Sequence, residues 1–298
     1  TEAMMATMLS ITNPGEKVVI FSPFYENYGA DTILSGAEPI YVPLVPPEFH
    51  FDKEKLEDAF KQGAKALILC NPSNPCGKVF TMEEMQTIAE LAKKYDAYVV
   101  TDEVYEHIVY APNKHIYMQA LEGMRERTIV CNSLSKTYSI TGWRLGYVIA
   151  NPQIIDRVKK VHDFLTVGAA APLMEAAVVG LEFGDGYYDE LAAHYAHMKE
   201  VFVGGLKKLG LKYTDPQGAY YVLVDVSEFG VKDDVKFCEW MTQFVGVAAV
   251  PGSSFFREDV HNLVRFHFAK QDDTLNEAIK RLATLKEKVM NAKNVDWR

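Results

Sequence analysis

The sequence has few cysteines, no excess of basic charge and no long apolar run. Its four cysteines, Cys70, Cys76, Cys131 and Cys238, show no paired spacing in a chain of 298 residues. This usage predicts reduced thiols in a cytoplasmic protein and argues against a disulfide framework. No apolar run approaches the roughly 20 residues of a membrane-spanning helix. No pattern typical of a secretory signal peptide opens the chain.

Acidic residues outnumber basic ones, with a net charge of −9 and a pI near 5.4. This balance argues against a nucleic-acid surface, which would carry a basic patch or stripe. We therefore expect neither a nucleic-acid partner nor a membrane partner. The hydrophobic content of 48% and the charged content of 24% are ordinary for a globular protein with an ample core.

The first residues already read as a helix. Thr1–Ser10 has a threonine cap and an acidic first turn, and no initiator methionine precedes it. We therefore expect the chain to begin inside a larger protein.

Strand and helix patterns alternate through the first half of the chain. The alternation implies βαβ units and a mostly parallel sheet between helices, an α/β fold whose ligands bind beyond the carboxyl ends of the strands. The predicted strands are Lys17–Phe21, Pro39–Val42, Lys65–Cys70, Ala97–Thr101, Thr128–Asn132 and Gly146–Ala150, and the helices between them include Tyr25–Leu34, Asp52–Lys61 and Met82–Lys94.

After Asn151-Pro152 the pattern changes to helices followed by a smaller α+β region. The predicted helices are Gln153–Phe164, Pro172–Leu209, Asp233–Phe244 and Asp272–Ala292, and the predicted strands are Ala219–Val226, Val247–Val250 and Leu263–Phe268.

The run Ser133-Leu134-Ser135-Lys136 carries the strongest chemical signal. Arg144 follows Lys136 eight positions later, among glycines. Serine hydroxyls and an arginine fork suit a phosphate, and a lysine in a dry site can condense with a carbonyl. Together they suggest pyridoxal phosphate (PLP). Taken alone, the run could equally be an exposed lysine in a polar turn.

Two polar turns follow predicted strands. Asn74 lies in the turn Asn71–Gly77, where its amide could meet a ligand, although asparagine, proline and glycine also dominate ordinary turns. Asp102 ends a strand and could hold a pyridinium nitrogen protonated, with Tyr105 donating to a phenolate oxygen. The alternative is an acidic helix cap.

An aromatic turn and a strand arginine complete the set. Tyr25 follows the first strand and could stack on a planar ring, or simply pack in the core. Arg265 is embedded in an apolar strand and needs a partner, either a structural carboxylate or that of a bound amino acid.

In this order the motifs resemble the class I/II aminotransferases of the fold-type I PLP enzymes. The resemblance covers essentially the whole chain, and Gly142-Trp143-Arg144 after the lysine is typical of the branch with aspartate/aromatic, alanine and kynurenine-type enzymes. It implies a PLP-binding large domain over residues 1–170, truncated at its start. Residues 171–298 would form an interdomain helix and a small α+β domain.

The resemblance also implies a role for each motif residue. Lys136 would form the Schiff base with PLP and carry the proton, and Arg265 would bind the substrate carboxylate with help from Asn74. The other implied cofactor contacts are Asp102 to the ring nitrogen, Tyr105 and Asn74 to the ring oxygen, Tyr25 to the ring face, and Ser133, Ser135, Arg144 and the helix beginning at Thr1 to the phosphate. No metal is expected.

The implied reaction is a ping-pong transfer of an amino group from an amino acid to a 2-oxo acid. Three alternatives stay open: a PLP-dependent C–S or β-lyase of the same fold, the aminotransferase-like effector domain of a transcriptional regulator, and an inactive fragment. The stretch Phe164–Ala169 has no arginine, which points away from animal-type aspartate enzymes. Aromatic residues near the predicted site leave aromatic substrates possible.

The sequence departs from the family in two places. Cys76 stands where the family usually has threonine, and the family's Gly-Ala before Thr1 and the segment upstream of it are absent. That segment would normally cover the substrate and supply a tyrosine to the partner subunit. The resemblance also implies a homodimer, with the small residues of 168–172 at the interface.

Overall fold

The computed structural model describes residues 1–292 and 295–298, and within them two β-sheets organise the chain. The strands of the first sheet are β1 Lys17–Ser22, β2 Glu38–Val45, β3 His50–Phe51, β4 Ala64–Cys70, β5 Tyr98–Asp102, β6 Thr128–Ser133 and β7 Gly146–Ile149. Their order across the sheet is β3-β2-β1-β4-β5-β6-β7.

The first sheet is parallel except at its edges. Strands β1, β2, β4, β5 and β6 run in one direction, while β3 and β7 pair antiparallel with β2 and β6. The central strands are apolar on both faces, and Val18, Val19 and Ile20 of β1 have no exposed surface. Strands of that kind need helices on both sides of the sheet. The α/β fold predicted from the sequence is confirmed.

The second sheet is smaller and antiparallel throughout. Its strands are β8 Lys212–Tyr213, β9 Tyr221–Asp225, β10 Val250–Pro251 and β11 Leu263–His267, in the order β10-β11-β9-β8. Strand β11 is central, and Arg265 on it lies opposite Leu223 of β9 and Val250 of β10.

Ten α-helices surround the sheets in the described part of the chain. They are α1 Glu2–Ile11, α2 Asn27–Leu34, α3 Lys53–Lys61, α4 Met82–Lys94, α5 Pro152–Leu165, α6 Ala171–Leu181, α7 Asp185–Lys208, α8 Asp234–Phe244, α9 Asp272–Leu282 and α10 Leu285–Asn291. Across residues 1–292 and 295–298, none of these helices has the length and apolarity needed to cross a membrane.

Local side-chain chemistry sets where several helices begin. Thr81 and Glu84 form a reciprocal capping box at the start of α4. Asp52 caps α3 by accepting from the backbone of its first turn, and Asn151 caps α5 ahead of a proline at the first helical position. These signals explain why the predicted starts of these helices fall within one residue of those observed.

The prediction of one continuous helix over Pro172–Leu209 is wrong. The structure has α6 and α7 instead, with a break at residues 182–184. Gly184 is the residue before α7, and Gly186 follows in its first turn. Two glycines so close together lower helix propensity, which the helical pattern on either side conceals.

Two further boundaries differ from the prediction. The helix near Asp272–Ala292 is interrupted after Leu282, where the Thr284 hydroxyl donates to the Arg281 carbonyl and competes with the helical backbone bonds. The strand over Val247–Val250 is reduced to Val250–Pro251, because only those two residues pair with β11. The two-residue strands β3 and β8 were not predicted, since they are too short to show alternation.

Helix α7 packs against α9 at a glycine that tests the arrangement directly. A Cβ at Gly205 would lie 2.5 Å from the Ile279 side chain, whereas a Cβ at Gly204 would meet nothing within 4 Å. Gly204→Ala should raise the free energy of unfolding by about 0.5–1 kcal/mol through helix propensity. The free energy of unfolding of the Gly205→Ala variant should be about 1–3 kcal/mol lower than that of the Gly204→Ala variant, because the added methyl overpacks the contact with Ile279. Urea unfolding of both variants measures the difference, and equal stabilities would contradict this packing.

Candidate active site

The carboxyl ends of four parallel strands meet at one edge of the first sheet, and most of the predicted site residues lie there. In an α/β sheet this edge is where ligands bind. Tyr25 follows β1, Asn74 follows β4, Asp102 ends β5, and Ser133, Ser135 and Lys136 lie at or just beyond the end of β6.

Asp102 is a carboxylate held without a cationic side chain. Its Oδ2 accepts a hydrogen bond from the Tyr28 hydroxyl at 2.6 Å, and its Oδ1 accepts from the Val104 amide at 3.2 Å. Burial raises the pKa of Asp102, and the Tyr28 bond opposes that shift. In residues 1–292 and 295–298 no lysine, arginine or histidine forms an ion pair with Asp102. The carboxylate can therefore receive a cationic group from a ligand.

Lys136 lies half-buried in the turn that follows β6. Burial lowers the pKa of its amine, the nearby charge of Arg144 lowers it further, and Asp102 opposes both. Its Nζ lies 6.0 Å from the centroid of the Tyr220 ring. A lysine with a depressed pKa carries more of the free amine at neutral pH, which is the form that attacks a carbonyl.

Neutral donors gather beside this lysine. Ser133 Oγ lies 2.6 Å from Ser135 Oγ and 3.0 Å from the Leu145 carbonyl oxygen. Helix α1 starts close by, since Cys131 Sγ of β6 lies 3.6 Å from the Ala3 carbonyl oxygen.

Thr1 precedes α1 without making a side-chain capping bond, so amides of the first turn have no cap from it. Two hydroxyls and a helix amino terminus suit an anion such as phosphate.

The Arg144 side chain does not point to the two serines with which it is predicted to bind the phosphate. Its Nη1 donates to the Thr141 carbonyl at 2.8 Å, its side chain is exposed, and no bond joins it to either serine. Its backbone is left-handed, with φ of 57°, which is uncommon for a residue other than glycine. The charge of Arg144 still acts on this site, because it adds to the effect of burial in lowering the pKa of Lys136.

Arg265 reaches the same edge from the second sheet. Its Nη1 donates to Asn74 Oδ1 at 2.7 Å, and its guanidinium carbon lies 4.4 Å from the ring centroids of both Tyr221 and Phe255. Among the residues that the structure describes, no carboxylate pairs with Arg265. Of the two partners considered from the sequence, the structural carboxylate is therefore not observed, and the fork is available to a ligand.

Tyr105 bonds within the protein. Its hydroxyl lies 2.8 Å from that of Tyr221, and only 3% of the residue is exposed. Tyr25 is half-buried and meets Tyr28 edge to face at 5.8 Å. The stacking of Tyr25 and the oxygen contact of Tyr105 stay predictions.

Sequence reasoning did not assign Tyr28, Tyr220 or Tyr221 to the site. Tyr28 follows Tyr25 by three positions, a helical spacing that puts both on one face and could have suggested the contact with Asp102. The pair Tyr220-Tyr221 has no comparable signal, because its contacts with Lys136 and Arg265 join residues far apart in sequence.

The donors present fit PLP. They offer an amine for its carbonyl, a buried carboxylate for its ring nitrogen, and hydroxyls and helix amides for its phosphate. The fold and this set of groups define a PLP-dependent enzyme of fold type I.

Comparison with known proteins identifies the family within that class. Residues 1–282 match the aminotransferase class I and II family. The chain is 33% identical to the methionine aminotransferase of Escherichia coli over 96% of this chain and 74% of the relative. It is 34% identical to kynurenine–oxoglutarate transaminase 3 of Rattus norvegicus over 90% of this chain and 66% of the relative.

Solved structures agree. The structure of N-succinyldiaminopimelate aminotransferase from Mycobacterium tuberculosis superposes with a TM-score of 0.92 at 35% identity, covering 95% of this chain and 75% of that one. The chain therefore belongs to the class I and II aminotransferases and is a PLP-dependent aminotransferase. It spans about three quarters of the length of the structure from Mycobacterium tuberculosis.

The bond between Tyr28 and Asp102 generates a test. Tyr28→Phe removes the hydroxyl that keeps the Asp102 pKa down, so unfolding at neutral pH should become easier by about 1.5–3 kcal/mol, the range for a bond to a charged group. The loss should shrink as the pH falls through the Asp102 pKa, because the protonated carboxyl depends less on the donor. Urea unfolding at neutral and acid pH measures both. In an Asp102→Asn background Tyr28→Phe should cost less, and an unchanged cost would contradict the coupling.

Proposed function

We propose that this aminotransferase works through Lys136, with Asp102, the two serines and Arg265 binding the cofactor and substrate around it. The observation that carries the proposal is the half-buried amine of Lys136, with its depressed pKa, at the sheet edge that also holds the buried carboxylate of Asp102.

The cofactor residues divide by the part of PLP that each would hold. Asp102 would keep the ring nitrogen protonated, and Tyr28 would keep Asp102 ionised. Ser133 and Ser135, the first turn of α1 after Thr1, and Arg144 would hold the phosphate. For Arg144 this needs a side-chain rotation away from the Thr141 carbonyl, which an exposed side chain can make. Tyr25 would stack on the ring, and Asn74 and Tyr105 would bond the ring oxygen.

When bound, PLP supplies a carbonyl that condenses with amines and a ring that takes up the electron pair left when the substrate Cα–H bond breaks. Lys136 would act as the base at that bond: its Nζ would take the proton from Cα and deliver it to the C4′ carbon of the cofactor. The depressed pKa serves this role, because a base must be unprotonated at the working pH.

Arg265 would orient the amino acid. Its fork can bind an α-carboxylate through two parallel hydrogen bonds, and Asn74 fixes one arm of the fork in advance. The rings of Tyr221 and Phe255 hold the guanidinium plane in place. With the carboxylate bound there, the Cα–H bond can be presented to Lys136, and the same grip serves the 2-oxo acid in the second half of the ping-pong cycle.

Lys136→Ala should lose the visible absorbance of lysine-bound cofactor and reduce transamination by at least about a thousandfold, because base and attachment point disappear together. Spectra and turnover with an amino acid and a 2-oxo acid measure this. Lys61→Ala, which removes a solvent-exposed amine paired with Asp58, is the matched control and should keep both. Turnover of the Lys136→Ala variant at the parental rate would sink the assignment.

We further propose the domain division given by the sequence, a large domain over residues 1–170 and a smaller unit over 171–298. Its support is that the first sheet ends with β7 and the second begins with β8, and that α6 and α7 lie between them. We also propose a cytoplasmic location, supported by four free cysteines, which suit a reducing compartment.

We propose that the chain forms a homodimer through α6 and the end of α5. This surface is unusually apolar: Phe164 is 91% exposed, Val167 80% and Val179 60%. Exposed apolar side chains at this density mark a surface that associates. Small residues over 168–172 adjoin it and allow close approach.

Val179→Glu should shift the protein towards monomer, because a buried, unpaired carboxylate is costly in an interface. Sedimentation velocity across a range of concentrations measures the shift. Val235→Glu makes the same change at an exposed valine on α8 and should leave the dimer intact. A parental protein that sediments as a monomer throughout would refute the proposal.

A further inference from the structure

The first turn of α7 contacts the turn that carries Lys136. The Tyr187 hydroxyl donates to the Thr137 carbonyl at 2.7 Å, one residue beyond the lysine. The neighbouring Tyr188 hydroxyl lies 2.9 Å from that of Tyr138. Both contacts join segments about 50 residues apart in sequence.

The bond from the Tyr187 hydroxyl to the Thr137 carbonyl reaches the lysine turn, residues 134–138, from another part of the chain. The backbone bonds of the turn are longer: Leu134 N lies 3.3 Å from the Leu145 carbonyl, and Tyr138 N lies 3.2 Å from the Leu134 carbonyl. Lys136 sits outside regular helix and strand, so no repeated ladder of backbone bonds fixes its position. Ser133 Oγ, 2.6 Å from Ser135 Oγ, fixes the start of this turn, and the hydrogen bond from Tyr187 fixes it just beyond the lysine.

Aromatic packing fixes Tyr187 itself. Its ring stacks on Tyr138 at 5.7 Å with 24° between the planes, and it lies 4.7 Å from the ring of Phe183. On α6, a Cβ at Gly180 would come within 3.1 Å of the Tyr138 ring, so glycine there permits the close fit. The hydroxyl of Tyr187 is thus aimed by its surroundings and is not a freely rotating surface group.

The other part of α7 is anchored in the core beside the second sheet. Tyr195 stacks on Tyr220 at 5.5 Å, and Lys199 Nζ donates to the Pro216 carbonyl at 2.7 Å. The ring of Tyr220 in turn lies 6.0 Å from Lys136 Nζ. Helix α7 therefore contacts the lysine turn directly at Tyr187, and its Tyr195 packs on the Tyr220 ring that faces the Lys136 amine.

We propose that Tyr187 is a positioning residue for Lys136: its hydroxyl pins the Thr137 carbonyl and so holds the lysine amine in its partly dehydrated place. The inference rests on the proposed role of Lys136. Without the hydroxyl, the Thr137 carbonyl loses its partner, the turn relaxes, and the amine moves towards water. The pKa of Lys136 then rises towards that of an ordinary lysine.

Tyr187→Phe removes the bond and keeps the ring, so it isolates the hydroxyl. The first measurement uses the cofactor-free chain: the pH dependence of Lys136 labelling by an amine reagent, followed by mass spectrometry. The midpoint should move to higher pH in Tyr187→Phe. It should stay unchanged in Tyr95→Phe, a matched change that removes a tyrosine bond to Glu57 away from the site. An unmoved midpoint in Tyr187→Phe would overturn the proposal.

The second measurement uses the PLP-loaded enzyme. Loss of one hydrogen bond of ordinary strength should lower kcat about three- to tenfold. KM for the amino acid should stay within about twofold, because carboxylate binding falls to Arg265. A change confined to KM would count against positioning of the lysine.

A third arm separates positioning from a general structural role. In a Lys136→Ala background, turnover is driven by a small primary amine added to the solution. Adding Tyr187→Phe there should change nothing, since the side chain it positions is gone. The same three- to tenfold loss in that background would overturn the proposal. If Lys136→Ala alone keeps parental activity, the role of Lys136 fails, and the labelling midpoint still reports on Tyr187.

Discussion

The hydrogen bond from the Tyr28 hydroxyl to the buried carboxylate of Asp102 is the interaction on which this site depends. Removing a charged group from water is costly, and the side chain of Asp102 accepts hydrogen bonds from the Tyr28 hydroxyl and the Val104 amide. Each of these donors requires a particular element to be in place. The Tyr28 hydroxyl requires α2 beside β1, and the Val104 amide lies in the turn directly after β5.

Three cationic side chains lie around the same sheet edge without forming an ion pair with Asp102 in the described part of the chain. Lys136, Arg144 and Arg265 converge on the sheet edge from a turn, a left-handed residue and a strand of the second sheet. The same charges act on His267: burial lowers its pKa, and Lys270, Arg265 and Lys136 lower it further. A site with this imbalance attracts anions. A phosphate and an α-carboxylate are the anions that transamination brings to it.

Most of the strands and helices, and the polar residues that follow strands, could be predicted from the sequence, because those features depend on local periodicity and capping. Asp102 and Asn74 could be placed at one edge since parallel strands end together. The bond from Tyr28 to Asp102 could not be predicted with certainty, because it depends on how α2 packs. The direction of Arg144 depends on a left-handed backbone at a residue other than glycine, for which the sequence has no signal.

The break between α6 and α7 shows how a missed boundary can matter for function. In one continuous helix over residues 172–209, Gly180 and Tyr187 would lie on the same helix axis. Because the chain turns at residues 182–184, α6 presents Gly180 to one side of Tyr138 while α7 presents Tyr187 to the stacked face. The ring of Tyr138 therefore contacts both helices.

Water access explains why the amine of Lys136 is only partly dehydrated in the single chain. Residues 141–144, which follow the turn that carries Lys136, are exposed, and Leu173 and Ala177 of α6 pack with Leu134 and Leu145 on either side of this stretch. A second copy seated on α6, as proposed, would exclude water along this side. In a drier site Arg144 and Asp102 would act on Lys136 more strongly, because charges interact more strongly where solvent is excluded. Dimer formation and tuning of the lysine would then be two effects of one interface.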